Sequence, residues 1–365
     1  MLAHRLLVPA AVEWMGMLAK LLLVSALALS ALAINVPQAR AEAAALPAAW
    51  KTALSQVQPD PPPKQLAADA HFVISDERAH YTFYPATKGL GGVLLGVGTD
   101  PNYLIAGWMN AELVLVVDFD QVVADVHALY ALAFGEAADS EAFVKLWSAK
   151  NIKEFSALID KHAPDKAAQK RWVAAFKMSR GLIAERLAAL KRTYREQKVP
   201  TFLSDPEQYK HVRSLVQQGR VWAWRGDLTA DKTMAGVQKA LADMGQQVKV
   251  FYITNAEAYF PYTKQARKNL RDLPYADDSV VLRTQGRPDK VDDIADHHYS
   301  YYVQKGPDFV AWLQKASTTS AKTIGRSRIA TKTKGLFTLP GPPVPKVKGA
   351  GKGKPAAGPA KTVDK

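Results

Sequence analysis

The stretch Gly91–Asp120, GGVLLGVGTDPNYLIAGWMNAELVLVVDFD, decides how this chain is read. Val93-Leu94-Leu95 is an apolar run too short for a helix and fenced by glycines, so it suits a strand buried on both faces. Gly96-Val97-Gly98 permits a sharp turn and the close approach of a ligand to the backbone. Thr99 or Asp100 can cap the next helix, and Pro101 fits its first turn, where a missing N–H costs nothing. Leu113–Val117 is a second buried run, and Asp118 stands at its carboxyl end, 20 residues after Gly98. Nucleotide-binding βαβ units hold a ribose with an acid at about that spacing. The alternative is a βαβ unit with a tight turn and no ligand.

A dinucleotide suits this turn poorly. The third glycine of that motif would fall at position 101, which is proline. Asp100 also sets negative charge where a pyrophosphate needs the positive end of a helix. A ligand carrying positive charge, such as S-adenosylmethionine, fits the acid better.

Outward from this unit, strands and helices keep alternating. Gln121–Phe134 has an apolar face and reads as a helix returning over the sheet. His127 on it reads as a packed or surface histidine, because no second ligand sits four residues on. After Pro200, helix 204–218, strand 221–224, helix 231–244, strand 248–253, helix 260–273 and strand 279–282 follow. A late edge strand over 296–304 and a helix over 308–315 complete the pattern. Such alternation predicts an α/β fold with a doubly wound, mainly parallel sheet. Residues 71–316 form this domain, with residues 141–198 as a helical insertion. Upstream, His71–Tyr84 (HFVISDERAHYTFY) should supply a short strand or cap. Within 166–198 ten Lys/Arg face two acids, while Trp172, Phe176, Ile183, Leu187, Leu190 and Tyr194 recur at helical spacing. That is a long helix packed on the domain with a solvated basic face, or else a membrane-surface or polyanion-binding helix.

The ends differ in character. Residues 21–34 (LLLVSALALSALAI) follow Lys20 and are too short for a comfortable span, but right for the core of a signal peptide. Ala39-Arg40-Ala41 supplies a small-x-small cleavage pattern, so residues 1–41 read as a signal peptide and the protein as exported, periplasmic or extracellular. An uncleaved N-terminal membrane anchor is the alternative. Residues 42–70, ending in the proline-rich PDPPPK and its sequel, read as a Pro/Ala-rich linker or surface arm. The chain has no cysteine, which excludes disulfides, thiol nucleophiles and cysteine metal sites. Of the formal net charge of +14, +2 lies in residues 1–41 and +10 in 317–365, leaving +2 for 42–316. The basic balance therefore describes the tail rather than the site. Residues 317–365 are expected to be a disordered basic tail that associates loosely with an anionic membrane or another polyanion, or merely solubilises the chain.

Read together, the strand ends carry Gly96-x-Gly98, Asp118, Asp227 and Asn255-x-Glu257, a layout that resembles class I S-adenosylmethionine-dependent methyltransferases. The chain more closely resembles an uncharacterised bacterial family with that methyltransferase-like Rossmann fold. The resemblance rests on the opening stretch, FLSDPEQY, GRVWAWRGDLT, VKVFYITNAEAYF, NLRDLP, SVVLRT and HHYSYYVQ, spanning roughly residues 70–315. It implies that Gly96, Gly98 and Asp100 belong to the cofactor turn. Asp118 would accept the ribose hydroxyls and Asp227 would flank the adenine. Asn255 and Glu257 would face the substrate as catalytic candidates. Two positions depart from the pattern: Leu94 replaces an acid two residues before the first glycine, and the third glycine is missing. No G-x-S-x-G elbow, H-E-x-x-H or Walker loop is present. His297 and His298 are adjacent, so they point to opposite faces of a strand and do not share a metal. The alternative to an adenosine-binding enzyme is a non-catalytic envelope scaffold or recognition protein.

Overall fold

A computed structural model describes residues 44–286 and 298–343. Its centre is the run read first. Strand β1 (Val93–Gly96) lies between β2 (Leu113–Asp118) and β4 (Val248–Thr254), and every residue of β1 and β2 is buried. Burial on both faces is why these strands read as continuous Val/Leu rather than as an alternation. With β3 (Val221–Arg225), β5 (Tyr275–Gly286), β6 (Tyr299–Lys305), β7 (Ile329–Ala330) and β8 (Leu336–Leu339), the sheet has the order β3-β2-β1-β4-β5-β6-β8-β7. The first five are mutually parallel, β6 is antiparallel to β5, β8 is parallel to β6, and β7 is antiparallel to β8.

Twelve α-helices among the described residues cover the two faces. On one face lie α1 (Ala48–Ser55), α9 (Thr233–Asp243), α10 (Lys264–Arg271), α11 (Gly306–Gln314) and α12 (Ala321–Gly325), over Val93, Leu95, Leu115 and Phe251. The other carries α2 (Tyr84–Thr87), α3 (Pro101–Met109), α4 (Gln121–Glu136), α5 (Ser140–Leu146), α6 (Ile152–His162), α7 (Lys166–Glu196) and α8 (Pro206–Gln217), over Leu94, Val114, Val116 and Tyr252. Neighbouring strand residues thus feed opposite cores, as the pleat requires. Helix α7 buries Phe176, Ile183, Leu187, Leu190 and Tyr194, so its apolar stripe is a packing face.

Four expectations need correction. The linker is folded in large part: α1 buries Leu54 completely against α9, and Asp60 of PDPPPK is 1% exposed. Its carboxylate accepts the backbone N–H groups of Asp227 (3.0 Å), Lys232 (3.2 Å) and Thr233 (3.4 Å), which tie the loop after β3. The prolines therefore stiffen a docked arm. Asp60→Ala should cost about 1–3 kcal/mol, the scale for leaving buried donors unmet, read as a lower midpoint in urea with an unchanged slope.

The basic tail begins later than residue 317. Residues 321–339 form α12, β7 and β8, with Ile324 and Leu339 in the core, because β8 pairs in parallel with β6 and closes that flank. Composition hid this, since Thr/Ser/Lys-rich segments can still supply a few core residues. For the same reason β6 is not an edge strand. Finally, His71–Tyr84 holds no strand and instead ends in a 3-10 turn, His80–Phe83, that runs into α2. The signal-peptide reading of 1–41, the last lysines of the tail and His297 lie outside the described residues. No helix among the described residues is long and apolar enough to cross a membrane.

Candidate functional site

The chain runs outward from β1 to β2 to β3 and then returns to lie as β4 on the other side of β1. At such a switch point the connecting segments part and leave a crevice outside the carboxyl ends of the strands. Here the crevice is a cavity of about 430 Å³. Val97–Thr99 after β1, Asp118–Asp120 after β2, Gly226–Thr229 after β3 and Thr254–Ala256 around the end of β4 line it, and parts of the segment 65–77 cover it. Gly98 has φ +77°, which a turn this tight demands. Thr254 stands opposite with φ +56°, and its Cγ2 is 3.7 Å from where a Gly98 Cβ would lie. A β-branched residue in the left-handed region costs on the order of 1–3 kcal/mol and marks a place where the surroundings impose a shape.

Both sides of the Gly98 peptide are held. Its N–H donates to Asp118 Oδ2 at 3.1 Å, while Asp120 N–H donates to Asp118 Oδ1 at 3.0 Å. Burial pushes the Asp118 carboxyl up to about 7, against these two backbone donors that lower it. On the carbonyl side, His127 Nε2 lies 2.8 Å from Gly98 O, and Tyr103 Oη lies 2.9 Å from His127 Nδ1. A carbonyl only accepts, so Nε2 carries the proton and Nδ1 accepts from the tyrosine. Burial holds the His127 pKa down at about 4, which keeps that neutral tautomer. His127 is therefore a packed histidine, as its lack of a partner ligand foretold, and it braces the turn.

The cavity wall is acidic. Asp76, Glu77, Asp118, Asp120 and Asp227 line it, and among the described residues no Lys, Arg or His does. Glu77 is 1% exposed and accepts from Tyr252 Oη (2.6 Å), from Thr284 Oγ1 and from Ser75 Oγ (3.3 Å), with His80 Nε2 at 2.6 Å. Burial alone would raise its pKa, but the hydrogen bonds and charge of His80, with those of Thr284 and Tyr252, hold the carboxyl below its usual range. Asp120 caps α4 through Val122 N–H (2.9 Å) and meets His71 Nδ1 at 2.7 Å. Asp76 accepts from Tyr299 Oη at 2.7 Å, and Tyr299 in turn takes the Asn255 Nδ2–H at 3.2 Å.

Of the residues singled out from sequence, Gly98, Asp118, Asp227 and Asn255 line the cavity. Asp227 also accepts both the N–H (2.7 Å) and the hydroxyl (2.8 Å) of Thr229, which shapes its loop. Gly96, Asp100 and Glu257 are not among the lining residues. Gly96 must lack a side chain because a Cβ there would meet Asn102 Oδ1 at 1.7 Å; Asn102 staples the turn by donating to the carbonyls of Val97, Gly98 and Thr99. Asp100 occupies the N-cap position of α3 without a capping bond. Its carboxylate is fully buried against Arg186 of α7 (2.9 Å) and takes the Ser75 N–H (3.0 Å). Glu257 is buried beside Tyr262, which donates to it, and 3.3 Å from the buried Arg283, whose guanidinium lies over Phe309. Both acids serve internal ion pairs. His298 does not line the cavity either.

Sequence reading passed over Glu77, Asp120 and Tyr252. The acidic Ser75-Asp76-Glu77 run ahead of the sheet was a usable signal; for Tyr252, inside an apolar strand, there was none. Among the described residues no group of His, Asp and Glu could hold a metal. Residues 72–340 match the family model of DUF7790, a domain of unknown function. No curated protein shows significant similarity to the chain.

Proposed function

We propose that this chain, which belongs to the DUF7790 family, is a methyltransferase-like domain that binds S-adenosylmethionine in the crevice outside β1, β2, β3 and β4. The observation that supports the reading is the cavity wall of five acidic side chains with no Lys, Arg or His among the described lining residues, at the switch point of a doubly wound sheet. Phosphate-bearing nucleotides are repelled by such a wall, whereas a sulfonium ligand with an ammonium group is attracted. Asp118 would take the ribose hydroxyls, since two of its roughly four acceptor positions are already used and the others are available. Phe119 and Leu228, which line the cavity beside the two acids, offer apolar surface to the base. The cofactor, when bound, supplies an electrophilic methyl group.

One feature favours a second reading, adenosine-ligand recognition without transfer. Glu257, the acid expected to serve a methyl acceptor, is committed to Arg283 and Tyr262. Isothermal titration of the purified chain tests the binding reading. S-adenosylmethionine should bind at least tenfold more tightly than ATP or NAD, a gap of about 1.4 kcal/mol or more. No heat from S-adenosylmethionine at millimolar concentration, with the protein folded, overturns it. Product S-adenosylhomocysteine formed on incubation with amine, hydroxyl and carboxyl acceptors separates an enzyme from a recognition module.

A further inference from the structure

Helix α7 has a second face that the other described residues leave uncovered. It is 31 residues long, about 46 Å at 1.5 Å per residue. Its packing stripe runs through Ala175, Ile183, Leu187, Leu190 and Tyr194. Helical spacing of 100° per residue sets Lys166, Lys170, Lys177, Lys191 and Arg195 along one edge of the opposite face, and all five are exposed. Among the described residues none of the five makes an ion pair. On the other edge of the exposed face, roughly 100–150° around the helix from the lysines, stand Met178 and Leu182, 45% and 43% exposed and one turn apart, with Ala174 and Gly181 between the two edges. Glu185 and Glu196 are the acids on this face.

We propose that this face of α7 docks on an anionic phospholipid surface. The row of cations supplies attraction to the headgroups. Met178 and Leu182 then enter the boundary between headgroups and acyl chains, where an interfacial helix buries its apolar residues. The apolar pair is what selects a bilayer over a nucleic acid or another polyanion, which would use the cations alone. Ala174 and Gly181 keep the centre of the face low in its N-terminal half, beside Met178 and Leu182, while Glu185 and Arg192 stand further along it. The contact requires nothing of the crevice and stands independently of the ligand reading.

Co-sedimentation of the full chain with vesicles tests this. Binding is expected to vesicles of equal parts phosphatidylcholine and phosphatidylglycerol, not to pure phosphatidylcholine, and to fall steeply with salt. Met178→Ser/Leu182→Ser leaves the charge unchanged and removes only exposed apolar groups. It should weaken vesicle binding several-fold while leaving the thermal midpoint and retention on heparin where they were. Lys170→Ser/Lys177→Ser/Lys191→Ser should weaken both vesicle and heparin binding. A chain ending at Pro343 should keep its vesicle binding. The proposal is overturned if the full chain does not sediment with the anionic vesicles, or if the apolar double variant binds them as well as the parent. It is equally overturned if ending the chain at Pro343 abolishes binding, which would assign the contact to the lysines beyond.

Discussion

Arg186→Met is expected to lower the unfolding free energy by about 3–5 kcal/mol, the cost of stranding one member of a buried ion pair. Arg186 comes from the C-terminal part of the helical insertion, and its Nε meets Asp100 Oδ2 at 2.9 Å with the side chains 7% and 0% exposed. Burial works against the guanidinium's charge, but Asp100 more than restores it and raises the pKa of Arg186 beyond its already high value. Methionine matches the arginine stem in bulk, so the loss isolates the charge. Asp100 would then keep only the Ser75 N–H at 3.0 Å and a long contact with Thr99 Oγ1 at 3.4 Å. That is too little for a carboxylate with no access to water. The double variant Asp100→Asn/Arg186→Met should recover much of the loss, because neither half of the pair is left behind. Urea unfolding of the two single variants and the double checks this. A loss below about 1 kcal/mol for Arg186→Met would mean that the pair is better hydrated than its burial implies.

The same pair shows where sequence reading stops. Val93-Leu94-Leu95, Gly98 and Asp118 were legible because local chemistry fixes them: a doubly buried strand must be apolar, a tight turn needs a positive φ, and a strand end at a switch point faces a crevice. Asp100 and Glu257 are carboxylic acids like Asp118 and likewise follow strand ends, yet both are turned inward. What turns them is a cation from far along the chain, Arg186 in one case and Arg283 in the other. Nothing near either acid in sequence announces its partner. Glu77 is the converse case: it precedes the sheet by many residues and reaches the site only because the segment 65–77 folds back over the strand ends. The tail and the linker were misread through composition. Proline and lysine make most of a segment unfit for a core, but Leu54, Ile324 and Leu339 each needed only one apolar position on the right face of a short element. Periodicity over a long window cannot register so few residues.

Asp118 joins fold, charge and proposed ligand in one measurable effect. Its carboxyl is pushed up from 3.8 to about 7, so between those values the native state holds a proton that the unfolded chain has released. Protein without ligand should therefore lose stability as pH rises through that window, by up to about 1.4 kcal/mol per unit. Above about 7 both states are ionised and the slope vanishes. Asp118→Asn removes the titration and should flatten the curve, at the cost of one of the two backbone N–H bonds that Asp118 accepts with its two oxygens. Ligand binding has the opposite sign. Ribose hydroxyls donate to the ionised carboxylate, so affinity for S-adenosylmethionine should climb from pH 6 to pH 8 and level off once Asp118 is charged. At pH 8 the asparagine variant should bind about 1.5–3 kcal/mol more weakly, the scale of a lost charge-assisted hydrogen bond, and should show no such climb. His127 does not blur the comparison, because with a pKa of about 4 it stays neutral throughout. Titration calorimetry at three pH values, with urea unfolding of both proteins at the same values, gives both slopes. Parallel affinity curves for the two proteins would remove Asp118 from the ligand, whatever binds in the crevice.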